Sequence, residues 1–396
     1  QEQQQRAAAQ AAVLEAIQQR SGTIPMAAAA SAGSLQVTAE EVKKALRTMQ
    51  PGRSPGRDGI PVDLFRMFAT SMADVLAAVF TAVGTAGTPP VGFLDGTITV
   101  LFKKGDPLEP ANYRPIKLLG GDYRILARVL AQRLGPVLNG LIGPEQTAFL
   151  PGRQIGDDIM LLQLLPEYLR RAGRSAIVAF LDFYKAYDTV DRSFLLAIMD
   201  AVGAGEGLHR WVSTLLHGTQ AAAVVNGHLS RPVTMTAGVR QGCPVAPLLY
   251  LFVSHALLCW LQHNGVGIEV EGKLMSASQF ADDTKAFLPG DEDVPPFLGH
   301  MGTFALASGQ RLNPDKVDLL RIGVEPEPAG PLPSQQRQQQ QPGQGGQQQQ
   351  PAAPAGQELL AGLRVVRCAR ALGLSFANTS PPEPHWPGLA DGVGGG

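Results

Sequence analysis

The stretch Ile177-Val178-Ala179-Phe180-Leu181-Asp182-Phe183-Tyr184-Lys185-Ala186-Tyr187-Asp188 decides how the rest of the chain is read. An apolar run of strand character, Ala176 to Leu181, ends on a carboxylate, and a helix-like pattern begins near Ser193. About a hundred residues later, Ser276-Ala277-Ser278-Gln279-Phe280-Ala281-Asp282-Asp283-Thr284-Lys285-Ala286-Phe287-Leu288 sets two adjacent acids between two short strand-like runs. A fold that brings Asp182 to Asp282 and Asp283 gathers three carboxylates. One like-charge pair at about 4 Å and an effective dielectric of about 20 costs roughly 4 kcal/mol, so the cluster calls for a cation or a raised carboxyl pKa. Oxygen ligands with no neighbouring His or Cys favour Mg2+ over zinc. Two such ions about 3.5–4 Å apart activate an attacking hydroxyl and stabilise a leaving phosphate oxygen. Nucleotidyl transfer is the chemistry expected. Taken alone, Asp282-Asp283 is more simply turn chemistry, since Asp suits β-turns, and Asp182 alone is a solvated strand end.

The surrounding residues carry a resemblance. Phe180-x-Asp182-x-x-Lys185-Ala186-Tyr187-Asp188 resembles motif A of reverse transcriptases, and Phe280-Ala281-Asp282-Asp283 resembles motif C. Between them, Ala237-Gly238-Val239-Arg240-Gln241-Gly242-Cys243-Pro244-Val245-Ala246-Pro247-Leu248-Leu249 resembles motif B. The Phe-Ala-Asp-Asp form is similar to the non-LTR (LINE-type) retrotransposon branch; retroviruses typically carry Tyr-Met-Asp-Asp. The Pro/Gly-rich segment 51–61 resembles the one that precedes the fingers in non-LTR enzymes, and Gln146 to Asp158 resembles the family's Gln-x-x-Phe-x-Pro-Gly-Arg segment. Ala307 to Val317 resembles motif D, with Val317 where Thr is frequent. Ala371-Leu372-Gly373-Leu374 resembles the primer-grip turn of motif E. The likeness covers roughly residues 35–322, plus 363–377.

The resemblance implies an RNA-directed DNA polymerase core working on an RNA template, a DNA primer and dNTPs. Asp182, Asp282 and Asp283 are then the catalytic acids and the ligands of two Mg2+ ions, with Mn2+ as a substitute. Lys316 is the candidate general acid for the departing pyrophosphate. Lys104 and Arg114 are candidates to hold the triphosphate, the arginine through its two-pronged donor set. Tyr187 is the candidate block to a ribonucleotide 2′-hydroxyl. Gln241 and Gly242 lie against the incoming nucleotide; Arg153 and Gly373 are candidate nucleic-acid contacts. Two other readings share the palm: an inactive remnant that at most binds RNA, and an intron maturase. The segment 51–61 and the Phe-Ala-Asp-Asp form favour the retrotransposon branch.

The expected architecture is α/β (α+β): right-hand fingers and palm, an antiparallel palm sheet backed by helices, and a thumb missing or truncated, since little chain follows residue 377. The expected boundaries are a disordered or helical Gln/Ala-rich N-terminus (1–34), fingers (35–160), palm (161–322), a disordered low-complexity insertion (323–360), a motif E fragment (361–378) and a disordered tail (379–396). Within them, Thr38 and Glu41 form a capping-box signature, Leu64 to Val83 reads as one helix, and Ala27 to Gly33 as a linker. A hairpin is expected around Asn226-Gly227, joining 221–225 to 233–236.

Composition narrows the rest. The chain has 396 residues, 44% hydrophobic, with a formal net charge of −1, so a sizeable core is available and overall charge points to no polyanion. Residues 41–133 hold a modest local excess of Lys and Arg, suited to phosphate contacts. Cys243, Cys259 and Cys368 show no paired spacing, so neither a zinc site nor a disulfide framework is expected, and a reducing compartment, nucleus or cytoplasm, is the natural one. No signal peptide is legible. The apolar run Val245 to Leu261 contains Pro247, Ser254 and His255, so it is expected as a buried helix, with no membrane partner.

Overall fold

The computed structural model describes residues 1–324 and 358–378; residues 325–357 and 379–396, read above as disordered, lie outside them. In chain order come α1 (Glu2–Arg20), α2 (Met26–Ala32), α3 (Ala39–Thr48), α4 (Val62–Met67), α5 (Ala69–Ala86), β1 (Gly96–Phe102), β2 (Tyr113–Leu119), α6 (Gly121–Leu141) and α7 (Ile155–Arg171). Then follow β3 (Ser175–Leu181), α8 (Ala186–Thr189), α9 (Arg192–Ala201), α10 (Gly205–Leu216), β4 (Gln220–Val225), β5 (His228–Leu229), β6 (Val233–Thr234) and α11 (Ala246–His263). The remainder is β7 (Ile268–Val270), β8 (Lys273–Met275), β9 (Ala277–Phe280), β10 (Asp283–Leu288), α12 (Val294–Ser308), β11 (Asp318–Gly323), β12 (Leu359–Leu360), β13 (Leu363–Val366), β14 (Cys368–Ala371) and β15 (Leu374–Ala377).

The central sheet runs β12-β13-β11-β3-β10-β9. β3 lies antiparallel to both β10 and β11, and β13 joins the edge of β11 in parallel. Both faces are covered. Ile177, Ala179 and Leu181 of β3 meet one hydrophobic cluster with α1, α9, α11 and α12; Ala176, Val178 and Phe180 meet a second with α7 and the β14–β15 hairpin. That two-sided burial is why the strand reads as a continuous apolar run rather than an alternation. α11 is the central helix of the larger cluster and is buried almost throughout, as its composition predicts.

A second sheet, β2-β1-β4-β5 with β6 on β4, forms the fingers side. It crosses the expected boundary between fingers and palm, because β4 pairs in parallel with β1. The Asn226-Gly227 turn is present, but it joins β4 to the two-residue β5; β6 pairs with the far end of β4. The capping box forms as expected: the Thr38 hydroxyl accepts from the Glu41 N–H and the Glu41 carboxylate from the Thr38 N–H. The single helix expected over 64–83 is two, broken at Phe68.

The N-terminus takes the helical of its two expected forms. Its Gln/Ala composition conceals Ala9, Val13, Ala16 and Ile17, a stripe at helical spacing that is buried where α1 packs on α9, α11 and α12. The expected linker at 27–33 is largely α2, packed on α6 and α10.

Candidate active site

β3 ends on Leu181, paired with Thr284 of β10. One further step along this antiparallel register sets Asp182 opposite Asp283, with side chains on the same face of the sheet. β9 and β10 are joined by the two residues Ala281 and Asp282, so Phe280 pairs with Asp283 and Asp282 stands at the tip. The chain therefore delivers all three acids to one end of one sheet. Burial raises the Asp282 carboxyl above its ordinary range and the nearby Asp182 charge adds to this, while Arg114 pulls the other way. Asp283 is likewise raised, by burial first and then by the charge of Asp282, with Lys285 opposing. Among the described residues, no three His, Cys, Asp or Glu side chains are drawn together tightly enough to form a ready-made metal site. The acids are electrostatic neighbours that repel, and their oxygen-only donor set suits a hard cation.

The fingers reach the same place. Arg114 pairs with Leu101 in the β1–β2 hairpin, and its charge acts on Asp282 across the cleft. Lys104 lies in the exposed connection two residues beyond β1. Tyr187, on α8, stacks on Tyr250 of α11, with ring centroids 4.6 Å apart and planes 21° apart. Burial raises its phenol, and the charges of Asp282 and Asp283 raise it further, so the ring borders the acids. Tyr250 donates to Gln310 Oε1 at 3.1 Å, and Gln310 Nε2 donates to the Ala186 carbonyl at 2.8 Å. The aromatic shelf is thereby tied to the chain after α12.

That same chain straps the first acid. The Asn313 N–H donates to the Asp182 carbonyl at 2.8 Å, and Asn313 Nδ2 and Lys316 Nζ each lie 3.4 Å from Asp182 Oδ2. Asn313 Oδ1 is buried and makes no hydrogen bond. The Lys316–Asp182 pair is exposed, with 65% of the lysine side chain accessible, so it is weak and readily exchanged.

Two glycines of motif B bring its backbone close to the chain itself. A Cβ on Gly238 (φ +83°) would stand 2.7 Å from the Asp188 carbonyl oxygen, and one on Gly242 (φ +105°) 2.6 Å from that of Lys117. The loop is thus seated on α8 and β2, and the Lys117–Asp188 ion pair at 2.9 Å joins those two supports. Gln241 is half-buried beside them. Arg153, expected as a nucleic-acid contact, is engaged by the chain itself. Its guanidinium donates to the carbonyls of Asn139, Ile142, Gly143 and Gln146 around the C-terminus of α6, so both terminal nitrogens already have backbone partners. Gly373 (φ +80°) sits at the open turn between β14 and β15.

Several residues were not singled out from sequence. Asp158, in the first turn of α7, is buried: its Oδ2 lies 2.5 Å from Lys285 Nζ, and its Oδ1 accepts from Ser278 at 2.6 Å. Gln146, Ser254 and Gln279 form a buried polar network behind the Ala281-Asp282 turn. Polar side chains inside apolar stretches were the available signal.

The family described as Reverse transcriptase (RNA-dependent DNA polymerase) matches residues 102–353. The chain belongs to the reverse transcriptase family. More particularly, it is a reverse transcriptase domain of the non-LTR retrotransposon type. It is 31% identical to the transposon TX1 uncharacterized 149 kDa protein of Xenopus laevis, over 72% of this chain and 22% of that protein. It is 29% identical to the Retrovirus-related Pol polyprotein from type-1 retrotransposable element R2 of Popillia japonica, over 71% and 38% of the two chains. To the RNA-directed DNA polymerase from mobile element jockey of Drosophila funebris it is 27% identical, over 62% and 27%. The chain thus spans well under half the length of these relatives.

Proposed function

We propose that this chain is an RNA-directed DNA polymerase core that adds dNTPs to a primer 3′-hydroxyl on an RNA template by two-metal-ion nucleotidyl transfer. One juxtaposition supports the reading most: Asp182 stands across from Asp283, Asp282 is beside them, and the Arg114 charge faces Asp282 from the fingers. The donor set fits Mg2+, since it is all carboxylate, and burial and neighbouring charge hold two of its members above their ordinary range. Asp182 and Asp282 would hold both ions with Asp283 supporting them, and the ions would supply an activated hydroxyl and charge neutralisation at the leaving phosphate.

The chain's own residues do the rest. Arg114 and Lys104 neutralise and orient the triphosphate from the fingers side. Tyr187 cannot swing aside, because Tyr250 lies flat against it; a rigid ring beside the acids is what excludes a 2′-hydroxyl. Gln241 offers both a donor and an acceptor to the nucleotide. Lys316, only loosely paired with Asp182, is free to move and protonate pyrophosphate. The Gly373 turn meets the primer strand. The test is primer extension on an RNA template with Mg2+. The parent chain is expected to extend, and Asp182→Ala to abolish extension; extension that survives this change refutes the assignment.

A further inference from the structure

Asp282 is carried by a turn in an unfavourable shape. Ala281 has φ +58°, the left-handed region that glycine enters freely and alanine does not. Ala281 is buried, and its peptide groups on both sides are gripped by one side chain from far away in sequence. Gln146 Oε1 accepts from the Ala281 N–H at 2.9 Å, and Gln146 Nε2 donates to the Ala281 carbonyl at 3.2 Å. The side chain is only 1% exposed. Its orientation is fixed by its other partners: Oε1 also accepts from the Ala148 N–H at 3.1 Å, and Nε2 also donates to Ser254 Oγ at 2.7 Å. Ser254 passes the restraint on, donating to Gln279 Oε1 at 2.9 Å, while Gln279 Nε2 returns to the Ser254 carbonyl at 3.2 Å. The backbone closes the arrangement, since the Gln279 N–H donates to the Glu145 carbonyl and the Thr147 N–H to the Gln279 carbonyl.

We infer that Gln146 is a positioning residue for Asp282. It holds the Ala281-Asp282 turn in its left-handed form and thereby fixes where the Asp282 carboxylate stands relative to Asp182. This rests on the polymerase reading above. The chemistry needs glutamine: the grip requires a donor and an acceptor on one short planar group, so Glu lacks the donor, Met lacks both, and Asn is one methylene too short. Outer groups that orient a metal-binding carboxylate change metal affinity or activity by about 10–100-fold.

The test uses Mn2+ alone as probe, with binding read by water-proton relaxation, alongside Mg2+-dependent primer extension. Gln146→Met is expected to weaken Mn2+ binding and raise the Mg2+ needed for half-maximal extension by about 10-fold, with KM for dNTP nearly unchanged. Ala281→Gly removes the strain that the grip opposes, so adding it to Gln146→Met should restore most of the loss. A core-packing role for Gln146 would give the same deficit in both backgrounds, and that result overturns the inference, as does unchanged Mn2+ binding in Gln146→Met. If Gln146→Met melts below the assay temperature, Gln146→Asn is read instead, with the same deficit expected and an unchanged affinity again fatal. Failure of the underlying reading looks different: Asp182→Ala would then bind Mn2+ as tightly as the parent.

Discussion

Lys285→Met should destabilise this chain far more than any surface substitution. Lys285 points from β10 to the α7 side of the sheet, where its ammonium meets the Asp158 carboxylate at 2.5 Å; the two side chains are 1% and 0% exposed. Methionine keeps the length and removes the charge. Asp158 is then left buried with the Ser278 hydroxyl, at 2.6 Å, as its remaining side-chain partner. Removing one member of a buried pair costs about 3–5 kcal/mol, because the other charge is left uncompensated. At about 2–4 °C per kcal/mol for chains of this order of size, the melting temperature should fall by roughly 6–20 °C. The double variant Asp158→Leu/Lys285→Met replaces both charges with apolar groups, and it should recover most of the loss or exceed the parent, since desolvating two ions offsets much of their attraction. Thermal melts followed by circular dichroism on the parent, both single variants and the double variant provide the check. If Lys285→Met melts within about 2 °C of the parent, or if the double variant is as unstable as the sum of the singles, the pair is not the buried, mutually dependent unit described.

Other outcomes follow from the same geometry. Burial raises the Asp282 and Asp283 carboxyls, helped by the charge of Asp182 on the first and of Asp282 on the second, so the folded chain retains protons that the unfolded chain has released. Without metal, this part of its stability is lost as pH rises from the ordinary carboxylate range through the raised values. Asp283→Asn should therefore raise the melting temperature in EDTA at neutral pH and flatten that pH dependence while losing primer extension; a lower melting temperature would count against the repulsion. Mg2+ should raise the melting temperature of the parent and leave Asp182→Ala almost unmoved, since only the native acid cluster binds it. Arg153→Ala should lower stability by about 1–3 kcal/mol, through loss of charge-assisted bonds to carbonyls, and leave the salt dependence of RNA binding unchanged; a shallower salt slope would return Arg153 to the phosphate contacts. Tyr187→Ala should admit ribonucleotides, read as the ratio of rNTP to dNTP incorporation, and Tyr250→Leu should do so more weakly by loosening the shelf behind it.

The sequence made the acids legible because Asp182 directly follows a strand, Asp283 begins one and Asp282 stands in the turn before it, and strand periodicity places side chains without any knowledge of partners. Asp182 follows an apolar run that needs two buried faces, and only a central strand supplies them. The supports were harder to read. Gln146, Ser254, Gln279 and Gln310 are polar residues whose value depends on a partner distant in sequence; an apolar neighbourhood such as that of Ser254 hints at burial but names no partner. Arg153 shows the converse: the resemblance implied a nucleic-acid contact, yet the carbonyls at and just after the end of α6 engage it. In the N-terminus, composition masked periodicity, since alanines at 9 and 16 with Val13 and Ile17 give a narrow apolar stripe among glutamines.

What local reasoning cannot supply at all is the strain. Each of the three central motifs contains one non-glycine residue with a left-handed backbone: Lys185 at φ +46°, Arg240 at φ +55° and Ala281 at φ +58°. A turn chosen for stability alone would carry glycine or asparagine at such positions. Here each is fastened from outside its own motif. The backbone around Lys185 is reached by the Tyr184 N–H bond to the Arg311 carbonyl, Arg240 by its bond to the Leu94 carbonyl and its seat on the Tyr123 ring, and Ala281 by Gln146. The fastenings come from the stretches before and after the motifs, so the acids, the shelf and the motif B loop are held as one object only when the fingers segment and the chain after α12 are both docked. Residual strain at a site that is fixed from elsewhere is a form of preorganisation. It accounts for why polar residues with no evident chemistry of their own surround the strands that carry the acids.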